Sequence, residues 1–150
     1  MLAVGDSAPD FEGTTGAGTR LRLSGLRGKP VVLYFYPKAG TYGCTRESTE
    51  FARAYPALQA KGAEVVGVSV DNTNDLKGFA ESCSLPFPLV SDSERAISRQ
   101  YGVLGAFGYA RRVTFLISPD GRIDEVIASP LPGPHVRRSL ERLGAPPAPK

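Results

Sequence analysis

Short apolar runs alternate with amphipathic segments along most of this chain. Residues 31–36, 64–70 and 113–117 are rich in Val, Ile, Phe and Tyr, and we predict that they form buried strands. Between the first two runs, apolar residues recur at positions 51, 54, 55 and 58, which is the spacing of a helix with one buried face. Strands that alternate with helices of this length predict βαβ units, and therefore an α/β fold with a partly parallel sheet.

Helix bounds follow from the same spacing and from the prolines. The first helix is expected over residues 44–60, with a kink at Pro56. The second should end before Pro86, because the residue preceding a proline is disfavoured in helical geometry; its apolar stripe consists of Leu76, Phe79, Ala80 and Cys83. Two more helices are expected, a short one over residues 93–101 and a last one whose buried face carries Val136, Leu140 and Leu143.

Turn signals predict a hairpin near each end of the chain. The sequence Ser-Pro-Asp-Gly at 118–121 separates residues 113–117 from 123–127 and favours an antiparallel pair. Glycines within residues 11–23 indicate an N-terminal hairpin. The length of 150 residues suits a single domain over 1–150, and the proline-rich residues 145–150 are expected to be a flexible tail.

Charge and residue counts exclude several classes of protein. The net charge is only +3, and the arginines are spread along the chain, so we expect no nucleic-acid partner. No apolar run approaches the ~20 residues of a membrane helix. Two cysteines and one histidine are too few for a structural zinc site, although carboxylates could complete a catalytic one. We expect no metal and no cofactor. The absence of a disulfide framework favours a cytoplasmic location.

Cys44 is the residue to which reactive chemistry is most readily assigned. It lies in or next to the first turn of the first predicted helix, where unpaired backbone N–H groups and the helix dipole favour a thiolate. Phe51 and Leu58 follow it at intervals of seven, so its sulfur should face the core. From position alone, Cys44 could equally be a small packed hydrophobe.

The residues around Cys44 form the pattern Pro37-x-x-x-Thr41-x-x-Cys44 directly after an apolar strand. Three further segments follow in order, at residues 64–71, 85–92 and 112–117. With these four segments the chain, over about residues 4–143, resembles the peroxiredoxins, and specifically the branch called peroxiredoxin Q or bacterioferritin comigratory protein. The resemblance implies a thioredoxin-like fold, a central mixed sheet flanked by helices with an N-terminal β-hairpin extension, and a monomer.

The resemblance also implies a role for each matching residue. Cys44 would be the peroxidatic cysteine, which attacks a hydroperoxide oxygen and becomes a sulfenic acid. Pro37 would shield the thiolate, and the Thr41 hydroxyl would hydrogen-bond the bound peroxide and the sulfur. Arg112 matches the active-site arginine, with its neighbour Arg111 as the rival.

Two further groups complete the implied site. Glu47 matches a glutamate that orients the arginine. The backbone N–H groups of Gly43 and Cys44 would stabilise the charge that develops as the O–O bond breaks.

A second cysteine is expected to resolve the sulfenic acid. Many members of the branch carry that cysteine five residues after the first, where this chain has Thr49. Cys83 is the internal candidate for an intramolecular disulfide with Cys44, and thioredoxin or a similar dithiol would then reduce the protein. Cys83 also lies on an apolar stripe, so the alternative is a packed Cys83 and a one-cysteine peroxidase that uses an external thiol.

The predicted function is therefore a thiol peroxidase that reduces hydrogen peroxide and organic hydroperoxides. A general disulfide oxidoreductase is disfavoured because the chain has no Cys-x-x-Cys pair. A redox-sensing or holdase module remains the non-enzymatic alternative. A Cys-His pair of the protease type is also disfavoured, because His135 is expected to lie far from the site.

Overall fold

The computed structural model describes residues 1–146, and it contains seven strands and four α-helices in that part of the chain. Residues 147–150, most of the predicted tail, lie outside the described residues. The strands are β1 (Glu12–Thr15), β2 (Arg20–Arg22), β3 (Val31–Phe35), β4 (Glu64–Ser69), β5 (Leu89–Ser91), β6 (Val113–Ile117) and β7 (Ile123–Ala128). The helices are α1 (Tyr42–Ala60), α2 (Thr73–Ser82), α3 (Ala96–Gln100) and α4 (Pro132–Arg142), and a short 3-10 helix covers Leu23–Leu26.

One mixed sheet joins all seven strands in the order β2-β1-β5-β4-β3-β6-β7. Strands β3, β4 and β5 run parallel, while β6 pairs antiparallel with both β3 and β7. Strands β1 and β2 form the predicted N-terminal hairpin, and β1 also pairs with β5. The predicted α/β class with a partly parallel sheet and two terminal hairpins is therefore confirmed.

Strand β3 is buried on both faces, and its side chains alternate between two cores. Val32 and Tyr34 pack with residues of α1, α2 and α4, in the core that also contains Cys44. Leu33 and Phe35 pack with α3 and the N-terminal segment on the other face. The sheet is thus covered on both sides, as parallel strands require, and Cys44 faces the first of these cores from α1.

Two elements differ from the sequence prediction. Helix α3 begins at Ala96 rather than near 93, because Arg95 adopts the left-handed conformation with φ 65°, and the carboxylate of Asp92 accepts hydrogen bonds from the N–H groups of Ile97 and Ser98. Strand β5 was not predicted, because it has only three residues, which follow Pro86 and Pro88 and carry no periodicity. No helix in the described range 1–146 is long and apolar enough to cross a membrane.

Candidate active site

Cys44 occupies the third position of α1, as the sequence predicts. The first main-chain hydrogen bond of the helix runs from Thr45 N to Thr41 O at 2.8 Å, so the N–H groups of Gly43 and Cys44 precede the helical ladder. These groups and the positive end of the helix dipole stabilise negative charge on a nearby sulfur. The Cys44 side chain is fully buried, which confirms that its sulfur faces the core.

Arg112 is the charged group that reaches this sulfur. It lies immediately before β6, and its Nη2 donates to Cys44 Sγ at 3.5 Å. Its Nε donates to the carbonyl oxygen of Pro130 at 3.1 Å, which fixes the direction of the guanidinium. Burial lowers the pKa of Arg112, but Glu47 and Cys44 outweigh that effect and raise it, so the side chain stays charged. The side chain of Arg111 is exposed.

Glu47 lies three residues after Cys44 on α1, and its side chain is fully buried. Its Oε1 accepts a hydrogen bond from Arg112 Nη1 at 2.7 Å. Within residues 1–146, no group donates a hydrogen bond to the second oxygen, Oε2. Burial raises the pKa of Glu47 to about 8, although the charge and the hydrogen bond of Arg112 oppose that rise. Glu47 and Arg112 are therefore in direct contact, while the orienting role of Glu47 stays a prediction.

The expectation that His135 lies far from the site is wrong. Helix α4 packs beside α1 and brings the buried imidazole next to Glu47, with Nδ1 at 3.7 Å from Glu47 Oε2. Nδ1 also lies 2.8 Å from the hydroxyl of Thr114, and Nε2 lies 2.8 Å from the carbonyl oxygen of Ser129. The 88-residue separation along the chain gave no sign of this contact, because it arises from helix packing.

Thr41 is exposed at the N-terminal end of α1, and its hydroxyl donates to the carbonyl oxygen of Lys38 at 2.8 Å. The hydroxyl proton is therefore directed at the loop rather than at the sulfur, which differs from the expected contact between Thr41 and Cys44. The oxygen keeps lone pairs that can accept a hydrogen bond from a ligand.

Pro37 is half-buried at the rim of an open depression that exposes part of Arg112. The depression lies between the loop after β3 and the end of β7. Its lining consists of Pro37, Arg111, Arg112, Ala128, Ser129 and Pro130. A small solute can therefore approach the guanidinium from solvent at this point.

Asp71 holds the loop between β3 and α1, a role for which the sequence alone gave no assignment. Its Oδ2 accepts hydrogen bonds from Ala39 N at 2.8 Å and from Ser69 Oγ at 2.7 Å. Strands β3 and β4 are parallel neighbours, so the residues that follow them meet at the same edge of the sheet. The predicted parallel pairing of these strands could therefore have indicated that Asp71 lies near the loop that follows β3.

Cys83 is the residue at the C-terminal end of α2, and its side chain is half-buried. Both cysteines are free thiols, and both contact the same hydrophobic core. The Oγ of Ser82 lies 3.9 Å from Cys83 Sγ. Among residues 1–146, no cluster of three or more His, Cys, Asp or Glu side chains could hold a metal ion.

Gly43 allows Arg112 to approach the start of α1. A Cβ atom at position 43 would lie 3.0 Å from Arg112 Nη2, so the guanidinium would have to move by a few tenths of an ångström. We expect Gly43→Ala to lower the rate constant for peroxide reduction about tenfold, because that movement misaligns the group that faces the sulfur. The free energy of unfolding should stay level or rise, because alanine favours a helix.

Gly78→Ala is the matched control, because Gly78 is an exposed residue of α2 and a Cβ there has open space around it. It should leave the rate constant unchanged while gaining the same helix propensity. Stopped-flow peroxide reduction and urea unfolding of both variants make the comparison. Equal rate constants for the two variants would show that a Cβ atom at position 43 does not disturb the catalytic position of Arg112.

Glu47 and His135 give opposite pH dependences to stability. The pKa of Glu47 is raised from 4.5 to about 8, so its contribution to the free energy of unfolding is full below pH 4.5 and is lost as the pH rises through 8. Burial lowers the pKa of His135 from 6.5 to about 4, so its contribution is full above 6.5 and is lost as the pH falls through 4. We expect their combined contribution to be greatest between pH 4.5 and 6.5.

Between pH 6.5 and 8 the loss should approach about 1.4 kcal/mol per pH unit, the value for one proton. Urea unfolding of the reduced protein and of Glu47→Gln across this range isolates the carboxyl. The wild-type advantage over Glu47→Gln should shrink as the pH rises. Parallel pH profiles for the two proteins would contradict the raised pKa of Glu47.

Comparisons with known proteins place this geometry in a family. The AhpC/TSA family matches residues 4–126. A putative peroxiredoxin bcp of Coxiella burnetii is 38% identical over 149 residues, covering 95% of this chain and 99% of that protein. The crystal structure of peroxidoxin BcpB from Mycobacterium tuberculosis has a TM-score of 0.91 at 35% identity and covers 96% of this chain and 97% of that one.

A further solved structure is that of a Xanthomonas campestris bacterioferritin comigratory protein, described for its alkyl peroxide reduction activity. It has a TM-score of 0.86 at 30% identity and covers 96% of each chain. The structural neighbours are thioredoxin-fold peroxiredoxins, which confirms the predicted thioredoxin-like fold. This chain belongs to the AhpC/TSA family, as a peroxiredoxin and thiol peroxidase related to Bcp and peroxiredoxin Q.

Proposed function

We propose that the chain reduces hydroperoxides through Cys44, with the thiolate as nucleophile and Arg112 as the group that stabilises it. The observation that carries this proposal is the 3.5 Å contact between Arg112 Nη2 and Cys44 Sγ at the N-terminal end of α1. The sulfur is buried, Arg112 contacts it, and its residue belongs to the first turn of α1. This environment suits a nucleophilic thiolate better than a merely packed cysteine.

The first step transfers one oxygen atom. The Cys44 thiolate attacks the terminal peroxide oxygen, a S–O bond forms as the O–O bond breaks, and the leaving oxygen takes a proton to become water or an alcohol. The sulfur is oxidised to a sulfenic acid and the hydroperoxide is reduced. Arg112 and the N–H groups of Gly43 and Cys44 stabilise the charge on the oxygens during this step.

Thr41 and Pro37 position the substrate in this proposal. The Thr41 hydroxyl donates to Lys38 O, so its oxygen accepts the O–H of the incoming hydroperoxide. Pro37 borders the depression beside Arg112 and limits the access of water to the thiolate. Glu47 holds the guanidinium through its 2.7 Å contact, so that Arg112 faces the sulfur before substrate arrives.

Positioning is needed because deprotonation alone supplies too little acceleration. An ordinary thiol with a pKa near 8.5 is about 3% thiolate at pH 7, so complete deprotonation raises the rate at most about 30-fold, or about 2 kcal/mol. Enzymes accelerate reactions by far more than that. The remainder is assigned to the fixed contacts of Arg112 and to alignment of the peroxide with the sulfur.

Organic hydroperoxides are proposed as substrates together with hydrogen peroxide. The depression beside Arg112 is open to solvent, so an alkyl group has room to extend outward from the reacting oxygens. The alkyl peroxide reduction named for the Xanthomonas campestris relative supports the same substrate class.

Cys83 is proposed to resolve the sulfenic acid. Its thiol attacks Cys44 sulfur, a disulfide forms, and the sulfenic oxygen leaves as water. Cys44 is fully buried within α1 and Cys83 ends α2, so both helix ends must loosen for the sulfurs to meet at bonding distance. The half-buried position of Cys83 at a helix terminus makes that end the easier one to open.

We expect one equivalent of hydrogen peroxide to produce a Cys44–Cys83 disulfide within one molecule. Peptide mass spectrometry under non-reducing conditions should detect the cross-linked pair, and Cys83→Ser should leave Cys44 as a sulfenic acid that a dimedone probe traps. Thr49→Ser is the control, because Thr49 stands five residues after Cys44 and its hydroxyl donates to its own helix at Thr45 O. An unmodified Cys83 thiol after peroxide treatment would instead support a one-cysteine enzyme with an external thiol.

The reductant is proposed to be thioredoxin or a similar dithiol, which reduces the disulfide and becomes a disulfide itself. Peroxide-dependent NADPH oxidation in the presence of thioredoxin and its reductase tests the full cycle. Multiple turnovers are expected. A single turnover that no dithiol extends would favour the redox-sensing or holdase alternative.

We propose that the chain acts as a single catalytic domain and as a monomer. All seven strands belong to one sheet, and α1, β6 and α4 contribute to the same site. Sedimentation of the reduced and oxidised protein measures the oligomeric state. The cytoplasmic location stays a prediction.

A further inference from the structure

His135 contacts the site through a group that the proposed reaction does not use. The imidazole is buried on α4, and its Nδ1 lies 3.7 Å from Glu47 Oε2, the carboxyl oxygen that accepts no hydrogen bond within residues 1–146. A buried carboxylate oxygen without a donor is costly, because it loses its hydration without gaining a partner. A protonated, neutral Oε2 carries a smaller cost than an ionised one.

The hydrogen bonds of His135 determine which of its nitrogens carries a proton. Nε2 lies 2.8 Å from the carbonyl oxygen of Ser129, which can only accept, so Nε2 carries the hydrogen. In the neutral ring Nδ1 is then an acceptor, and the hydroxyl of Thr114 donates to it at 2.8 Å. Nδ1 therefore has no hydrogen to donate to Glu47 Oε2, which lies 3.7 Å away, and the absence of a donor on this side disfavours the ionised carboxylate and favours a proton on Oε2.

The charge balance of the buried site leads to the same conclusion. Arg112 is the cation that contacts both Glu47 and Cys44, whereas Arg138 of α4 pairs with Glu125 at 2.5 Å. A single guanidinium can balance one anion, so an ionised Glu47 would compete with the Cys44 thiolate for Arg112. The titratable and charged groups that face the pair are Arg112, Arg138, Glu50, Cys44, Tyr34 and Tyr36.

We propose that His135 is a positioning residue that keeps Glu47 protonated and neutral, so that the positive charge of Arg112 is left to the Cys44 thiolate. The hydrogen bond from Arg112 Nη1 to Glu47 Oε1 persists in this state, because Oε1 is then the carbonyl oxygen of the acid. The pKa of Glu47 is raised to about 8, which favours the protonated carboxyl, and the pKa of His135 is lowered to about 4, which favours the neutral imidazole. Both directions agree with this assignment. The inference rests on the proposed role of Cys44 as the reactive thiolate.

Two substitutions separate this role from a structural one. His135→Asn places an amide oxygen where Nδ1 stands, so it keeps a group without a hydrogen opposite Glu47 Oε2 but loses the bond to Ser129. His135→Gln keeps a donor for Ser129 O but leaves no group at the Nδ1 position, so that water can donate to Glu47 Oε2 and the carboxyl can ionise. A structural role is therefore better preserved by glutamine, and the proposed role is better preserved by asparagine.

The readout is the pH dependence of Cys44 alkylation by iodoacetamide in a Cys83→Ser background, which leaves one thiol to react. We expect His135→Gln to raise the midpoint of the profile by about one pH unit, which lowers the alkylation rate below the midpoint about tenfold and leaves the alkaline plateau unchanged. His135→Asn should keep the wild-type midpoint, even where it lowers the melting temperature. A wild-type midpoint for His135→Gln, or a shift in both variants that follows their loss of stability, would overturn the proposal.

A second comparison does not depend on the asparagine variant folding. In a Glu47→Gln background the side chain cannot ionise, so adding His135→Gln should leave the alkylation midpoint where Glu47→Gln alone has it. An undiminished shift in that background would show that His135 acts without Glu47. Infrared difference spectra add a direct test: the C=O band of a protonated carboxyl, absent in Glu47→Gln, should be present in the wild type and lost in His135→Gln.

These readouts stand apart from the proposed function. Alkylation and infrared spectra report protonation whether or not the protein turns over peroxide. A protein with no peroxidase activity but with the expected midpoint shifts would reject the role of Cys44 in peroxide reduction and keep the role of His135. Normal peroxidase activity with no midpoint shift would do the reverse.

Discussion

Replacing Cys44 with serine should lower the second-order rate constant for hydroperoxide reduction by at least about 10⁴-fold. A serine hydroxyl is not ionised near neutral pH, and its oxygen cannot be oxidised to a species that Cys83 could resolve. The substitution changes little else, because serine is close in size to cysteine and Arg112 Nη2 remains available to donate to the hydroxyl. Because the site is buried, the substitution should lower the free energy of unfolding by about 1–3 kcal/mol, which is too little to unfold the domain.

Stopped-flow measurement of peroxide consumption, with circular dichroism to verify the fold, tests this expectation. The matched control is Thr49→Ser, which alters a hydroxyl side chain on the same helix by one methyl group and should change the rate constant less than about twofold. If folded Cys44→Ser kept more than about one hundredth of the wild-type rate, another group would have to be the nucleophile, and Cys83 would be the first candidate.

Arg112→Lys should lower the same rate constant by about 10² to 10³-fold, the usual cost of removing one preorganised donor from a reacting oxygen or its nucleophile. The guanidinium makes three contacts at once, with Pro130 O, Glu47 Oε1 and Cys44 Sγ. A lysine keeps the charge, but its single ammonium cannot span these three acceptors with the same geometry. The effect should therefore fall on the chemical step rather than on net charge.

Arg111→Lys is the control for this substitution, because Arg111 is exposed and borders the same depression. It should keep the rate constant within about twofold. The choice between the two adjacent arginines then becomes experimental. Equal losses in the two variants would mean that positive charge at the depression matters and that the contact with the sulfur does not.

The part of the site that could be predicted from the sequence is the part built from local spacing. Cys44, Phe51 and Leu58 recur at intervals of seven, which correctly placed the sulfur on the buried face of α1. The resemblance likewise assigned Glu47 and Arg112 as partners, and the structure brings their side chains to 2.7 Å. The first inference depends on one helix whose apolar pattern is local, whereas the pairing of Glu47 with Arg112 came from the resemblance alone.

The contacts that could not be predicted depend on how distant elements pack. His135 meets Glu47 because α4 lies beside α1, and a single histidine 88 residues from the glutamate carries no pattern that reports this. The direction of the Thr41 hydroxyl was also beyond the sequence, because its acceptor is a carbonyl oxygen whose position depends on the loop conformation. Side-chain identity indicated the chemistry, while tertiary packing decided which atoms meet.

The most direct test of the account is to identify the atom that receives the peroxide oxygen. Reduced Cys83→Ser protein would be treated with one equivalent of hydrogen peroxide or of an organic hydroperoxide in the presence of dimedone, and the peptides analysed by mass spectrometry. The account predicts stoichiometric loss of the peroxide and a dimedone adduct on Cys44. Unreacted peroxide with an unmodified Cys44 thiol in the folded protein would contradict it.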